Sequence, residues 1–288
     1  RHTIMRDTFS NAWPLFAGLI LLMIGNGLQG TLLGVRASME GFSTATTGLI
    51  MSLYYGGYLA GSILAPKLVT NVGHIRVFAA MASLASTTSL LHGIFVDPVL
   101  WTIARIITGF SFAALYIVIE SWMNDISTPK TRGKILATYL VTFYLAMMGG
   151  QYLLNVAPPE KIELFVLTSV LVSLALLPIS LSRRSAPDFN APTPISLKTL
   201  CTTSPLGIFG IALASMVAAT FFTIGAVYAS ESGFSIAGIA TFMSIYILGA
   251  VILQLPLGSL SDRFDRRKVV IAVALSAALS ALGCHIFT

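Results

Sequence analysis

The feature that most constrains this chain is a series of nine long apolar runs. A helix needs about 20 mostly apolar residues to cross the roughly 30 Å of hydrocarbon in a bilayer. Runs of that kind cover residues 14–34, 47–69, 77–96, 98–119, 135–154, 162–181, 205–228, 236–257 and 269–287. They are too long for strands and lack the two-residue alternation of a β-barrel. The sequence therefore predicts an all-α polytopic membrane protein, a helical bundle with nine transmembrane helices.

The composition agrees with a membrane protein. Of the 288 residues, 56% are hydrophobic and only 10% are charged, and the mean hydropathy is +0.86. Soluble domains carry about 25% charged residues. This balance excludes a soluble enzyme domain, a disordered tail and a disulfide-rich secreted module. A cleavable signal peptide is the alternative for the first run, because Arg1 and Arg6 precede it. The run is long for such a peptide.

The basic residues predict the orientation, because Lys and Arg of short loops stay on the cytoplasmic side. With the N-terminus inside, 14 of the 17 basic residues fall on cytoplasmic segments. Only Arg36 and Lys161 fall on outer loops, and Arg105 lies within a span. Cys201 is predicted on the cytoplasmic side and Cys284 near the outer end of the last span. The net charge of +6 is thus an orientation signal, and no nucleic-acid partner is expected.

A polar linker and an internal repeat organise the chain. Residues 183–204 separate six predicted helices (residues 1–182) from three more (residues 205–288). A shift of 192 positions aligns two segments without gaps. It pairs Gly41, Phe42, Ser43, Met51, Ser52, Tyr54 and Gly57 with Gly233, Phe234, Ser235, Met243, Ser244, Tyr246 and Gly249. A helical unit, a cytoplasmic linker and the start of a second copy are typical of secondary transporters with parallel repeats.

A basic loop follows the eighth run. It contains Gly258, Asp262, Arg263, Arg266 and Arg267 in the order Gly-x-Leu-x-Asp-Arg-x-x-Arg-Arg. This order resembles the signature loop of the major facilitator superfamily, with Asp265 where the family has a second glycine. In the family this loop is thought to latch the two halves. The counterpart in the first copy has Pro66 for Gly258 and Thr70 for Asp262, so we assign it no latch.

The resemblance extends over the whole chain. The degenerate first loop, the segments 73–76 (Gly-His-Ile-Arg) and 120–124 (Glu-Ser-Trp-Met-Asn) are similar to the YcaD-like branch of bacterial facilitators. Membership implies two six-helix halves, about twelve helices in all, in the bacterial inner membrane. The second half would then extend about three helices beyond Thr288, so we expect this chain to be an incomplete member, a fragment or truncated product.

Arg105 is the one charged residue well inside a predicted span, about 10 Å deep by helix rise. Such residues usually face the bundle interior and mark transport pathways. A stripe at helical spacing places six residues on one face: Trp101, Arg105, Gly109, Phe112, Tyr116 and Glu120. Arg105 and Gly109 also resemble the Arg-x-x-x-Gly motif of the family's fourth helix, which implies proton coupling or contact with an anionic substrate. Arg105 could alternatively snorkel to the interface.

Other candidates are more open. Glu120 could instead pair with Arg132 or Lys134 as a structural clamp. Asn26 and Gln29, among glycines of the first run, suggest a cavity-lining helix, although small residues there equally serve close packing.

The sequence thus predicts a secondary active transporter that moves a small solute by alternating access, with proton coupling through Arg105 and Glu120 as a hypothesis. No ATP-binding loop or hydrolase motif is visible, so we expect no enzyme, cofactor or metal. The expected partners are a small solute, protons and the lipid bilayer, and the expected state is a monomer. The alternative is a non-transporting sensor or assembly scaffold on a transporter fold, which the degenerate first loop favours.

Overall fold

The computed structural model describes residues 2–129, 131–182 and 196–287. Within these ranges the backbone forms eleven α-helices and one 3-10 turn, and no strand. The helices are α1 (His2–Met39), α2 (Thr44–Val72), α3 (His74–Ile94), α4 (Pro98–Ile126), α5 (Arg132–Tyr152), α6 (Glu163–Leu174), α7 (Leu176–Ser180), α8 (Leu197–Thr203), α9 (Pro205–Glu231), α10 (Ile236–Arg263) and α11 (Arg266–Phe287). The 3-10 turn covers Leu153–Asn155. The all-α prediction is confirmed.

In the described part of the chain, seven helical segments are long and apolar enough to cross a membrane. They are Ala12–Met39, Thr44–Val72, His74–Ile94, Pro98–Ile126, Glu163–Ser180, Pro205–Glu231 and Ile236–Gln254. The two other predicted spans also fold as helices, within α5 and α11. The helix α5 carries Thr, Tyr, Gly and Gln residues, which lower its hydropathy. The count of nine spans therefore stays a prediction.

Large apolar side chains remain exposed along these helices. Leu59 and Ile63 of α2 are each 62% exposed, and Phe209 and Val217 of α9 are each 68% exposed. An apolar surface of this extent marks contact with lipid rather than with water. Together with the seven apolar helices, it supports a multi-pass membrane protein.

The chain divides into two compact units, Arg1–Ser244 and Ile245–Thr288. The predicted linker lies partly outside the described residues, at 183–195. From Ser196 onward the structure shows the short helix α8, which begins where the Ser196 side chain accepts a hydrogen bond from the Thr199 backbone N–H. The division into residues 1–182, 183–204 and 205–288 stays a prediction.

The turns α1–α2 and α9–α10 have the same geometry, residue for residue. Gly41 and Gly233 adopt φ values of +73° and +79°, the left-handed region where glycine carries no Cβ penalty. In each turn the glycine N–H donates to the carbonyl three residues earlier, at 3.1 Å. In each, a serine hydroxyl (Ser43 or Ser235) then accepts a backbone N–H at 3.1 Å and caps the next helix. The internal repeat is thus visible in the backbone as well as in the sequence.

Equivalent positions of the repeat also contact each other, where α1 packs against α9. The Ser230 hydroxyl lies 3.4 Å from the Ser38 hydroxyl, and these residues are 192 positions apart. Gly34 and Ala226 have the same separation, and a Cβ on Gly34 would lie 3.2 Å from the Ala226 Cβ. Contacts between equivalent residues are what a two-fold relation produces. The helices α1 and α9 are therefore equivalent helices of the two copies, and they pack against each other.

Glycines allow α2 and α4 to cross in close contact. A Cβ on Gly57 would overlap the carbonyl oxygen of Ile106, and one on Gly109 would overlap the carbonyl oxygen of Tyr54. Small residues permit this approach because apolar lipid supplies no hydrophobic force to drive helices together, so contact itself must stabilise the pair. The crossing fixes α2 against α4 where both helices contribute to the cavity described below.

Gly57→Ala is expected to destabilise the protein, because the added methyl forces α2 and α4 apart. Overpacking of this kind costs about 1–3 kcal/mol. The matched control is Gly56→Ala, one residue earlier on the exposed side of α2, where the added Cβ meets only Leu53 at 3.8 Å. Thermal unfolding of the purified protein in detergent should show a lower melting temperature for Gly57→Ala only. Equal melting temperatures would contradict the close crossing.

Candidate functional site

A cavity of about 250 Å³ lies among α1, α2, α4, α5, α9 and α10. Its walls come from both copies of the repeat, and all its lining residues lie within Arg1–Ser244. Aromatic side chains form much of the wall, from Tyr54, Tyr55, Tyr58, Tyr116, Phe143, Tyr144 and Phe222. The polar lining consists of Asn26, Thr31, Arg105, Gln151 and Thr223. The cavity is therefore an aromatic chamber with one cation and a few amides and hydroxyls.

Arg105 is buried in this chamber, with 5% of its surface exposed. Its guanidinium carbon lies 4.4 Å from the centre of the Tyr54 ring. Within the described ranges its Nε has no hydrogen-bond partner, and no carboxylate lines the cavity. A desolvated cation–π contact contributes about 2 kcal/mol, whereas burying an ion costs several kcal/mol. The arginine therefore faces the interior, and its charge is only partly compensated by the protein.

Gly109 explains how Tyr54 reaches Arg105. The glycine lies one helical turn after the arginine on α4, and the α2 backbone passes directly against it at Tyr54. Because α2 comes this close, the Tyr54 ring is held beside the guanidinium one turn earlier. Gly109 does not itself line the cavity. Its place in the structure is the helix crossing that positions the ring.

Tyr116 and Asn26 join α4 to α1 across the cavity. The Asn26 side-chain amide donates to the Tyr116 hydroxyl at 3.3 Å. The Tyr116 ring centre lies 6.1 Å from that of Tyr58 and 5.6 Å from that of Phe143, within the range of aromatic contacts. Asn26, Arg105 and Tyr116 are thus predicted site residues that the structure brings together in one chamber.

Gln151 forms a second polar link, which the sequence did not single out. Its amide nitrogen donates to the Gly27 carbonyl at 3.1 Å, and its amide oxygen accepts from the Thr31 hydroxyl. These bonds tie α5 to α1 at the cavity wall. The available signal was a buried amide next to Gly149 and Gly150 inside an apolar run.

The predicted stripe on α4 does not share one space. Trp101 lies away from the cavity, where its indole N–H donates to the Phe95 carbonyl at 2.7 Å and its ring packs against Phe42. Phe112 is fully buried in the bundle and contacts the Tyr116 ring. From Trp101 to Glu120 a helix rises by about 28 Å, far more than one chamber of this size can line. Only Arg105 and Tyr116 of the stripe line it.

Glu120 and Gln29 also lie outside the cavity lining. The Glu120 carboxylate accepts a hydrogen bond from the Tyr139 hydroxyl at 2.7 Å. Arg132 donates through its Nε to the Asn124 side chain at 2.8 Å, and no ion pair joins it to Glu120 among the described residues. Gln29 is 1% exposed, and its amide nitrogen has no hydrogen-bond partner among the described residues.

The loop after α10 is described only in part. At Gly258, Asp262 and Arg266 the structure describes the backbone alone. Arg263 is the last residue of α10 and is exposed, as is Arg267. Asp265, which replaces the signature glycine, accepts the Arg267 backbone N–H at 2.8 Å and so caps α11. The substitution therefore has a local structural role.

Comparisons with known proteins give a consistent result. The sequence model described as Major Facilitator Superfamily matches residues 15–288. An uncharacterized MFS-type transporter of Yersinia enterocolitica is 27% identical and covers 95% of this chain and 76% of its own length. The uncharacterized MFS-type transporter YcaD of Escherichia fergusonii is 24% identical, over 89% of this chain and 68% of its own length.

A solved structure has the same fold. The nucleoside transporter NupG, in its D323A form, matches with a TM-score of 0.70 over 88% of this chain and 68% of its own chain. Its sequence identity is only 12%. The match therefore bears on fold and carries no information about the solute.

Proposed function

The chain belongs to the Major Facilitator Superfamily, a family of multi-pass membrane transporters, and we propose that it is a secondary active transporter that moves a small solute by alternating access. The observation that carries the proposal is the chamber around Arg105, which is lined by α1, α2, α4 and α5 together with α9 and α10 of the second copy. In transporters built from repeats, the solute site lies between the repeats near the bilayer midplane. A chamber in this position is where such a site belongs.

The polar contacts that α1 and α2 make with the end of α9 are the proposed outer gate. Besides the Ser38–Ser230 contact, the hydroxyl of Thr44, at the start of α2, donates to the Glu231 carboxylate at 3.2 Å. These two polar contacts lie at the helix ends, beyond the buried apolar packing of α1 against α9 at Gly34 and Ala226. We propose that they separate when the cavity opens outward and re-form when it opens inward.

A cross-link at the outer gate tests alternating access without knowledge of the solute. The Ser38 and Ser230 hydroxyls lie 3.4 Å apart, so cysteines at these positions are within disulfide reach. The variant Ser38→Cys/Ser230→Cys would also carry Thr223→Cys in the cavity as a reporter, with Cys201 and Cys284 replaced by serine. In sealed vesicles, an impermeant thiol reagent added outside should modify residue 223 after reduction and leave it unmodified after oxidation. Peptide mapping gives the readout.

The matched control carries Ser38→Cys without its partner and should be insensitive to oxidation. Modification of residue 223 at the same rate in the oxidised and reduced double variant would show that the outer gate does not control access. No modification from outside in either state would equally contradict the proposal.

We propose that the N-terminus is cytoplasmic and that the protein lies in the bacterial inner membrane. The support is the distribution of Lys and Arg along the predicted loops, together with the bacterial origin of the relatives. Cys201, an exposed free thiol at the end of α8, is then on the cytoplasmic side.

Labelling of Cys201 tests this orientation. In a Cys284→Ser protein, an impermeant maleimide should fail to label intact spheroplasts and should label inside-out vesicles. The control is Cys201→Ser in the same background, which removes the signal from both. Labelling of Cys201 in intact spheroplasts would reverse the proposed orientation.

Proton coupling is part of the proposal and rests on Glu120. This exposed carboxylate is on α4, the helix that carries Arg105, and it accepts a hydrogen bond from Tyr139 of α5. This hydrogen bond ties α4, the helix of Arg105, to a second helix that lines the cavity.

A further inference from the structure

We propose that the cavity binds a small aromatic monocarboxylate, with its carboxylate on Arg105 and its ring among the tyrosines of the chamber. The inference rests on the proposed function, because it takes this chamber as the solute site and specifies the class of solute.

Arg105 is the one charged residue among those that line the cavity. Only 5% of its surface is exposed, and its Nε has no hydrogen-bond partner among the described residues. The Nε of Arg36 is likewise unpartnered, but its terminal nitrogens pair with the Glu40 carboxylate at 2.7 Å and donate to the Pro159 carbonyl at 3.1 Å, so this guanidinium has a counter-ion. A guanidinium is a planar fork of donors that matches a carboxylate. The chamber therefore holds half of an ion pair, and a carboxylate supplies the other half.

The number of charges limits the anion. A single guanidinium neutralises one negative charge, so a dicarboxylate or a phosphate dianion would bring an uncompensated charge into an apolar chamber. A cationic solute would meet Arg105 as a like charge, which costs binding free energy. A neutral solute would leave the guanidinium as it stands. A monoanion is the class that removes the imbalance.

The walls specify the rest of the molecule. Seven of the 17 lining residues carry aromatic rings, and five of these are tyrosines. The side-chain amides of Asn26 and Gln151 already bond to other residues of the protein. Aromatic rings pack favourably against other rings at centre distances of about 4.5–7 Å. The chamber therefore favours a flat apolar body next to the carboxylate.

The volume limits the size of the solute. The cavity measures about 250 Å³, which suits one six-membered ring with a carboxylate and a small substituent. Pockets for drug-sized ligands begin at about 300 Å³.

The test is direct binding to the purified full chain in detergent. The probes are benzoate, 4-hydroxybenzoate and phenylacetate, each compared with its neutral amide at pH 7. Thermal unfolding and calorimetric titration should show that at least one acid binds and raises the melting temperature with dose, while its amide binds at least tenfold more weakly. This comparison uses the wild-type protein and needs no variant.

Substitutions at Arg105 then assign the site. Arg105→Gln should weaken binding of the acid at least tenfold and leave the weak binding of the amide unchanged. Arg105→Lys retains the charge without the fork and should recover part of the affinity. The matched control Arg132→Gln removes one positive charge from an exposed position outside the cavity and should bind the acid as the wild type does.

Three outcomes would overturn the inference: no acid binds, acid and amide bind equally, or Arg105→Gln binds as tightly as the wild type. Failure of the proposed function would look different. A protein that binds the acid through Arg105 but fails to carry it across a membrane contradicts transport and supports this site. A protein that carries another solute and ignores the acids contradicts this site and supports transport.

Discussion

A guanidinium held inside a membrane-spanning bundle is the constraint on which the rest of this structure depends. Arg105 gains a ring face from Tyr54, but within the described residues it finds no carboxylate in its chamber. The ring is available because Gly57 and Gly109 let α2 approach α4 to backbone contact. Close packing at the helix crossing thus produces the electrostatic character of the cavity.

The repeat gives the chamber its second wall. The turns at Gly41 and Gly233 share one backbone geometry, and Ser38 lies against its own counterpart Ser230. A site between related halves can be exposed to either side by moving one half against the other. The contacts between α1 and α9 join the two copies, whereas the glycine crossing of α2 and α4 joins helices within the first copy. Alternating access requires helices that stay packed within each copy and contacts between the copies that can separate.

The sequence predicted the fold well, because apolar runs and loop charges report directly on membrane spans. It also predicted Asn26, Arg105 and Tyr116 as residues of one site, since a polar or charged group inside a span usually faces the interior. It was wrong to place Trp101, Gly109, Phe112 and Glu120 in the same space as Arg105 and Tyr116. Helical spacing shows that residues share a face, but not how much of that face one chamber covers. Gln151 and Thr31 were missed because their partners lie on another helix, 120 residues apart in the chain.

The central claim, that this protein carries a small aromatic carboxylate by alternating access, is tested most directly by counterflow. Proteoliposomes loaded with unlabelled 4-hydroxybenzoate would be diluted into a trace of the labelled acid, with no ion gradient present. A carrier exchanges one molecule for another, so the account predicts that labelled acid accumulates transiently above its equilibrium level. Uptake that rises only to equilibrium, at the rate of protein-free liposomes, would contradict it.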